Sequence, residues 1–201
     1  MNKKISLVAL IEVSFFAAFA LILDLIVPSI KLSPSISISF AMVPIFILAM
    51  RWGIKISLIA GFLWGTLQVV TGDAWIVTPV QAIMEYFIAF SFIGFAGLFY
   101  PIVQKHLRSG KKGNAVVWIV LAVFAGSVAR YFWHFLAGVI FIEHFAPGIA
   151  SPVLFSLTAN GLTMLGTFVL CSIITVTLLT TAPRLVIRQE SRTSLRDKRV
   201  S

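Results

Sequence analysis

Six apolar stretches divide this 201-residue chain, at about 5–27, 36–50, 54–70, 79–100, 115–142 and 152–182, each long enough or nearly long enough to cross a bilayer. Hydrophobic residues make up 59% of the chain and charged residues 11%, with a mean hydropathy of +1.02, values far from those of a soluble domain. The expected fold is an all-α integral membrane bundle of six transmembrane helices. The start, Met1-Asn2-Lys3-Lys4 before an apolar run, resembles a signal peptide, and Ala18-Phe19-Ala20 resembles its cleavage site. The apolar run continues through Leu21 to Val27, so an uncleaved first helix is expected.

A net charge of +9 would suit a nucleic-acid partner, but its placement argues for a membrane instead. Lys3 and Lys4, Arg51 and Lys55, the cluster from Lys105 to Lys112, and Arg184 to Arg199 fall in alternate connections of a six-span chain. The opposite connections hold only Lys31, Asp73 and Glu143. By the positive-inside rule both termini are cytoplasmic. Residues 1–182 form one membrane domain and 183–201 a basic cytoplasmic tail, whose arginines at 184, 188, 192 and 196 suit either a helix on anionic lipid or a solvated segment. Cys171 stands alone, which leaves it core packing rather than a disulfide or zinc site.

The second stretch is irregular. Serines at 33, 35, 37 and 39 alternate with Pro34, Ile36, Ile38 and Phe40, a period of two that fits extended chain. A short second helix beginning near Phe40 is expected, with residues 28–39 an ordered outer segment that is either a lid over a site or a plain surface loop. In the third stretch, Gly61 and Gly65 give the small-xxx-small spacing that lets helices approach closely within one bundle.

Three polar residues from three stretches fall at one depth. Glu85 lies near the start of the fourth stretch, His134 near the end of the fifth and Asn160 near the start of the sixth. At roughly 1.5 Å per residue all three sit about 9 to 12 Å below the same membrane face. A carboxylate, an imidazole and an amide meeting in apolar protein imply a polar guest, since unpaired polar groups cost several kcal/mol there. Arg130, His134 and Gly138 share one helix face, so Arg130 is placed one turn deeper to anchor a carboxylate and Gly138 leaves room for a ligand. Trp75, Tyr86 and Trp133 cluster toward the outer end, as a cage for a flat or cationic ligand or as an interfacial belt. The bland alternative is a bundle core in which Glu85, Arg130 and His134 satisfy one another.

Enzyme motifs are missing: there is no His-Glu-x-x-His, Gly-x-Ser-x-Gly or Gly-x-x-x-x-Gly-Lys-Ser/Thr. No catalytic residue, metal or cofactor is expected. A solitary proton-coupled carrier using Glu85 and His134 stays open, although no inverted repeat supports it.

Several motifs together carry a family resemblance: Arg51-Trp52-Gly53, Gly61 to Gly65, Gly72-Asp73-Ala74-Trp75, Pro79-Val80-Gln81-Ala82 through Glu85-Tyr86, Arg130-Tyr131-Phe132-Trp133-His134-Phe135 with Ala137-Gly138, and Ser156-Leu157 with Asn160-Gly161. In these the chain resembles the thiamine-specific substrate-binding subunit, or S component, of energy-coupling factor transporters. The resemblance implies a thiamine-capturing subunit of the plasma membrane, energised by a separate transmembrane coupling protein and two ATPases, which accounts for the missing nucleotide motif. An S component for another small vitamin or pyrimidine is the nearby alternative. It further implies ligand contacts from Glu85, His134 and Asn160, with Tyr86, Trp75 and Arg130 beside them. The chain departs from the pattern at Phe155, where a Tyr is usual, and at Ile142, where some members carry an aromatic. The resemblance also implies docking on the coupling protein through Ser14 and Ala18 of the first helix, in place of the usual Ala-x-x-x-Ala.

Overall fold

The computed structural model describes residues 5–27, 29–33 and 35–187. Helix α1 (Leu7–Ile26) is capped by Ser6, whose hydroxyl accepts from Ala9 N–H, and it ends where Pro28 follows in sequence. Its buried side chains are few and small, mainly Ala9, Val13, Ala17 and Ala20, so one stripe packs on the bundle and the rest faces outward. A two-stranded antiparallel hairpin follows, β1 (Ile30–Ser33) and β2 (Ile36–Ile38), pairing Ile30 with Ile38 and Lys31 with Ser37. The alternation of serine and isoleucine is therefore a strand pattern, as its period of two predicts.

Helix α2 (Val43–Trp52) is ten residues long, and every side chain from Val43 to Met50 is buried. At about 1.5 Å per residue it spans only about 15 Å. Its apolar surface is covered by protein on all sides, which explains an apolar stretch too short to cross a bilayer as a helix. Gly53, at φ 81°, ends α2 and opens α3 (Ile54–Thr71) in a single residue. Helix α4 (Pro79–Arg108) starts with Thr78 accepting from Gln81 N–H and Pro79 in the first turn. It contains a π-helical segment, Ile83–Ile88, and a 3-10 segment, Ile93–Phe99. Helix α5 (Lys112–Ile140), the short α6 (Ile142–Phe145) and α7 (Pro152–Thr181) complete the bundle.

Among the described residues five helices, α1, α3, α4, α5 and α7, are long and apolar enough to cross a membrane, and the second apolar stretch is shared between the hairpin and α2. The chain is thus a mostly helical, multi-pass membrane protein. The short second helix expected to begin near Phe40 begins at Val43, and the chain before it is extended, as the alternating serines predict. The expected fourth span, ending near residue 100, extends to Arg108.

Helix approach is governed by glycines at the α3–α4 seam. A Cβ on Gly65 would run into the carbonyl of Tyr86, and one on Gly61 into that of Phe90. Gly94 and Gly97 of α4 lie equally close to the α3 backbone, so the glycine spacing serves packing within the chain. At the end of the bundle that carries Arg51, Glu12 of α1 accepts from Arg51 at 2.5 and 2.7 Å and from the Trp52 indole at 2.7 Å. Arg51 also donates to Leu185 O, and Gln104 donates to both Met50 O and Val186 O at 2.8 Å. Residues 183–187, expected as the start of a tail, are therefore fastened to the bundle, with Val186 fully buried. The arginines at 188, 192 and 196 lie outside the described residues. Cys171 is buried and its thiol donates to Ser39 O at 3.7 Å.

Candidate ligand-binding site

At the opposite end of the bundle from Arg51, α1, the hairpin, α3, α4, α5 and α7 enclose a cavity of about 560 Å³. A smaller one of about 240 Å³ adjoins it and shares Glu85, His134 and Asn160 with it. The three polar residues placed at one depth by sequence do converge. His134 Nδ1 is 3.4 Å from Glu85 Oε1, and Asn160 Nδ2 is 3.5 Å from His134 O.

Glu85 and Tyr86 sit in the π-helical segment of α4, where the wider turn shifts side-chain directions relative to an α-helix. Arg130 Nε donates to His134 Nε2 at 3.3 Å, so that nitrogen must be the unprotonated one. The tautomer assigned from these partners carries its proton on Nδ1 and donates it to Glu85. Glu85 Oε2 accepts from the amide of Gln81. The cluster is thus partly self-satisfied, as the bland reading anticipates. It is not sealed, however: the His134 and Glu85 side chains keep 16% and 15% exposure toward the cavity. Asn160 uses only its nitrogen, on Ser156 O at 3.1 Å and Ser156 Oγ at 3.2 Å, and its Oδ1 accepts from none of the described residues.

Trp75 stands at the mouth, 62% exposed, with its ring edge-on to Phe145 at 5.3 Å. Its backbone N–H donates to Tyr86 Oη at 2.7 Å, which ties the two aromatic residues together. The serines at 29, 35, 37 and 39 line the cavity, while Ile38 packs onto Gly166 of α7.

Three expectations are corrected by side-chain direction. Trp133 lines neither of these two cavities; it packs edge-on against Phe92 at 5.4 Å and Phe132 at 5.8 Å. At about 100° per residue it lies well around the helix from His134. Arg130 has no carboxylate within 4.0 Å among the described residues. Its guanidinium lies instead over Phe90 at 4.2 Å, with Trp64 and Tyr131 at 5.2 and 5.6 Å, so aromatic faces hold the protein's own cation. Gly138 borders the smaller cavity, but the space where its Cβ would stand is taken first by Ser156 and Asn160 of α7.

Sequence reasoning passed over Asp24, Gln68 and Gln81. Asp24 lines the cavity and accepts from Gln68 Nε2 at 2.5 Å and Ser39 Oγ at 3.4 Å. A carboxylate inside an apolar helix was signal enough to find it. The two glutamines gave less, because they stand in the last turn of α3 and the first turn of α4, where polar side chains are ordinary. Ser14 is exposed and Ala18 partly exposed on the outer side of α1, away from the buried stripe.

Residues 10–187 match the family model described as "Thiamine transporter protein (Thia_YuaJ)". The chain is 39% identical over 187 residues to the thiamine transporter ThiT of Bacillus subtilis strain 168, covering 92% of this chain and 97% of that one. It is 34% identical over 195 residues to ThiT of Lacticaseibacillus paracasei, covering 96% of each. Among solved structures, ThiT from Listeria monocytogenes superimposes with a TM-score of 0.86 at 41% identity, over 90% of this chain and 98% of that one.

Proposed function

The chain belongs to the thiamine transporter protein family, and from that membership we propose that it is the high-affinity thiamine-binding subunit of an energy-coupling factor importer in the plasma membrane. In this reading a separate coupling protein and two ATPases supply the energy, six crossings leave both termini in the cytoplasm, and the chain itself has no enzymatic activity. The observation that carries it is the convergence of Glu85, His134 and Asn160 on one cavity edged by Trp75 and Tyr86. Thiamine offers a cationic thiazolium and an aminopyrimidine with donor and acceptor edges. A carboxylate complements the first or bonds the second, and each aromatic face attracts the cation by about 0.5 to 2 kcal/mol. Asn160 Oδ1 and the free lone pairs of Glu85 are acceptors for an amino group.

Substitution of Glu85 by Gln keeps the shape and removes the charge. Thiamine affinity of the purified protein, followed by quenching of tryptophan fluorescence, should weaken by about 1 to 3 kcal/mol. Unchanged affinity in a folded variant would assign Glu85 to internal satisfaction of the core. The Glu85–His134 contact also favours a second reading, a proton-coupled carrier. Liposomes holding this chain alone separate the two: a carrier accumulates thiamine on a pH gradient, whereas a binding subunit binds it and does not pump.

A further inference from the structure

Gln81 is fully buried in the first turn of α4, and its amide bonds at both ends. Oε1 accepts from Val77 N–H at 3.2 Å. Nε2 donates to Trp75 O at 3.2 Å and to Glu85 Oε2. Two acceptors on one side and an N–H on the other fix which atom is nitrogen, so the amide has one workable orientation. A bond to Oε2 leaves Oε1 of the same carboxylate toward His134 and the cavity. The bond to Trp75 O, with Tyr86 Oη on Trp75 N–H, grips that residue's backbone from both sides.

We propose that Gln81 is a positioning residue for ligand binding: one buried amide sets the separation and mutual orientation of the anionic wall at Glu85 and the aromatic wall at Trp75. This rests on the thiamine reading above for the identity of the ligand. The two walls belong to different segments, a helix turn and the 72–78 loop, and Gln81 is the one side chain bonded to both among the described residues. An apolar replacement leaves Val77 N–H without its partner, leaves Trp75 O only the longer 3.5 Å bond from Tyr86 Oη, and frees the Glu85 carboxylate to turn.

The test uses the full chain in nanodiscs with thiamine as probe. The Gln81→Met variant should raise the thiamine Kd at least about tenfold, and amide hydrogen exchange of the ligand-free protein should quicken about tenfold at residues 75–77 while the other helices stay protected. Combined with Glu85→Gln, the Met substitution should add much less than its separate effect, since it acts through that carboxylate. A Kd within twofold of the parent, unaltered exchange at 75–77, or full additivity would overturn the proposal. Failure of the unsubstituted chain to bind thiamine would refute the proposed function alone, and exchange at 75–77 would still decide the role of Gln81. Should Gln81→Met fail to fold, the 15N-labelled side-chain amide of Gln81 in the unsubstituted protein is followed instead. Its resonance should shift on thiamine addition, and a resonance that stays in place overturns the proposal.

Discussion

Single atoms decide how closely α3 and α4 approach. Gly65→Ala would place a methyl against the Tyr86 carbonyl, which belongs to the backbone and cannot rotate away. The seam must open, so thermal unfolding should show a loss of about 1 to 3 kcal/mol, and thiamine binding should weaken because Glu85 and Tyr86 ride on the displaced segment. Gly161→Ala is the control. Beyond its own helix backbone and chain neighbours no atom lies within 4 Å of the added methyl, so stability should hold or rise by up to about 1 kcal/mol through helix propensity. The same scale explains what was legible in the site. Glu85, His134 and Asn160 announced themselves because polar groups in apolar helices demand partners. Trp133 misled because it neighbours His134 in sequence yet points to Phe92, and Gln81 stayed silent because its value lies in three bonds that only folding brings together.

Among elements, the long helices were readable from their apolar stretches and the extended chain of the hairpin from its alternating serines. The π and 3-10 segments of α4 were not; they lie along its close seam with α3, where Gly65 meets the Tyr86 carbonyl and Gly94 and Gly97 meet the α3 backbone. Two elements carry predictions. Gln104 joins the end of α2 to the chain after α7, and Gln104→Leu leaves Met50 O and Val186 O unpaired. That variant should lose about 1 to 3 kcal/mol in thermal unfolding with thiamine affinity retained, because the cavity lies at the other end. If the hairpin closes over bound thiamine, a spin label at Ser35 should lose mobility on ligand addition, and an identical spectrum with and without thiamine removes the lid.

For the molecule as a whole, composition and the alternation of Lys and Arg made a multi-pass bundle evident, whereas the enclosure of the ten-residue α2 by its neighbours could not be read from its apolar sequence. Orientation is checked by single cysteines at Lys111 and Ser151, which should label from opposite sides; labelling of both from outside would sink the six-crossing topology. Docking on a coupling protein is checked by the Ser14→Trp, Ala18→Trp double variant. Both side chains lie on the outer side of α1, so the variant should fold and bind thiamine yet lose uptake and co-purification with the energising subunits. Loss of thiamine binding would point to a role inside the bundle.

The hairpin also bears on time. A two-stranded ribbon is only marginally stable by itself, and this one rests on Ile38 against Gly166 and on Ser39, whose hydroxyl donates to Asp24 Oδ1 and whose carbonyl accepts from the Cys171 thiol. If ligand must pass it, the rate at which the ribbon lifts limits entry and exit alike. Weakening its anchorage with Cys171→Ala should then raise kon and koff together in stopped-flow measurements and leave their ratio near that of the parent. Residence time would be set by a strand hinge, and affinity by the helices beneath it.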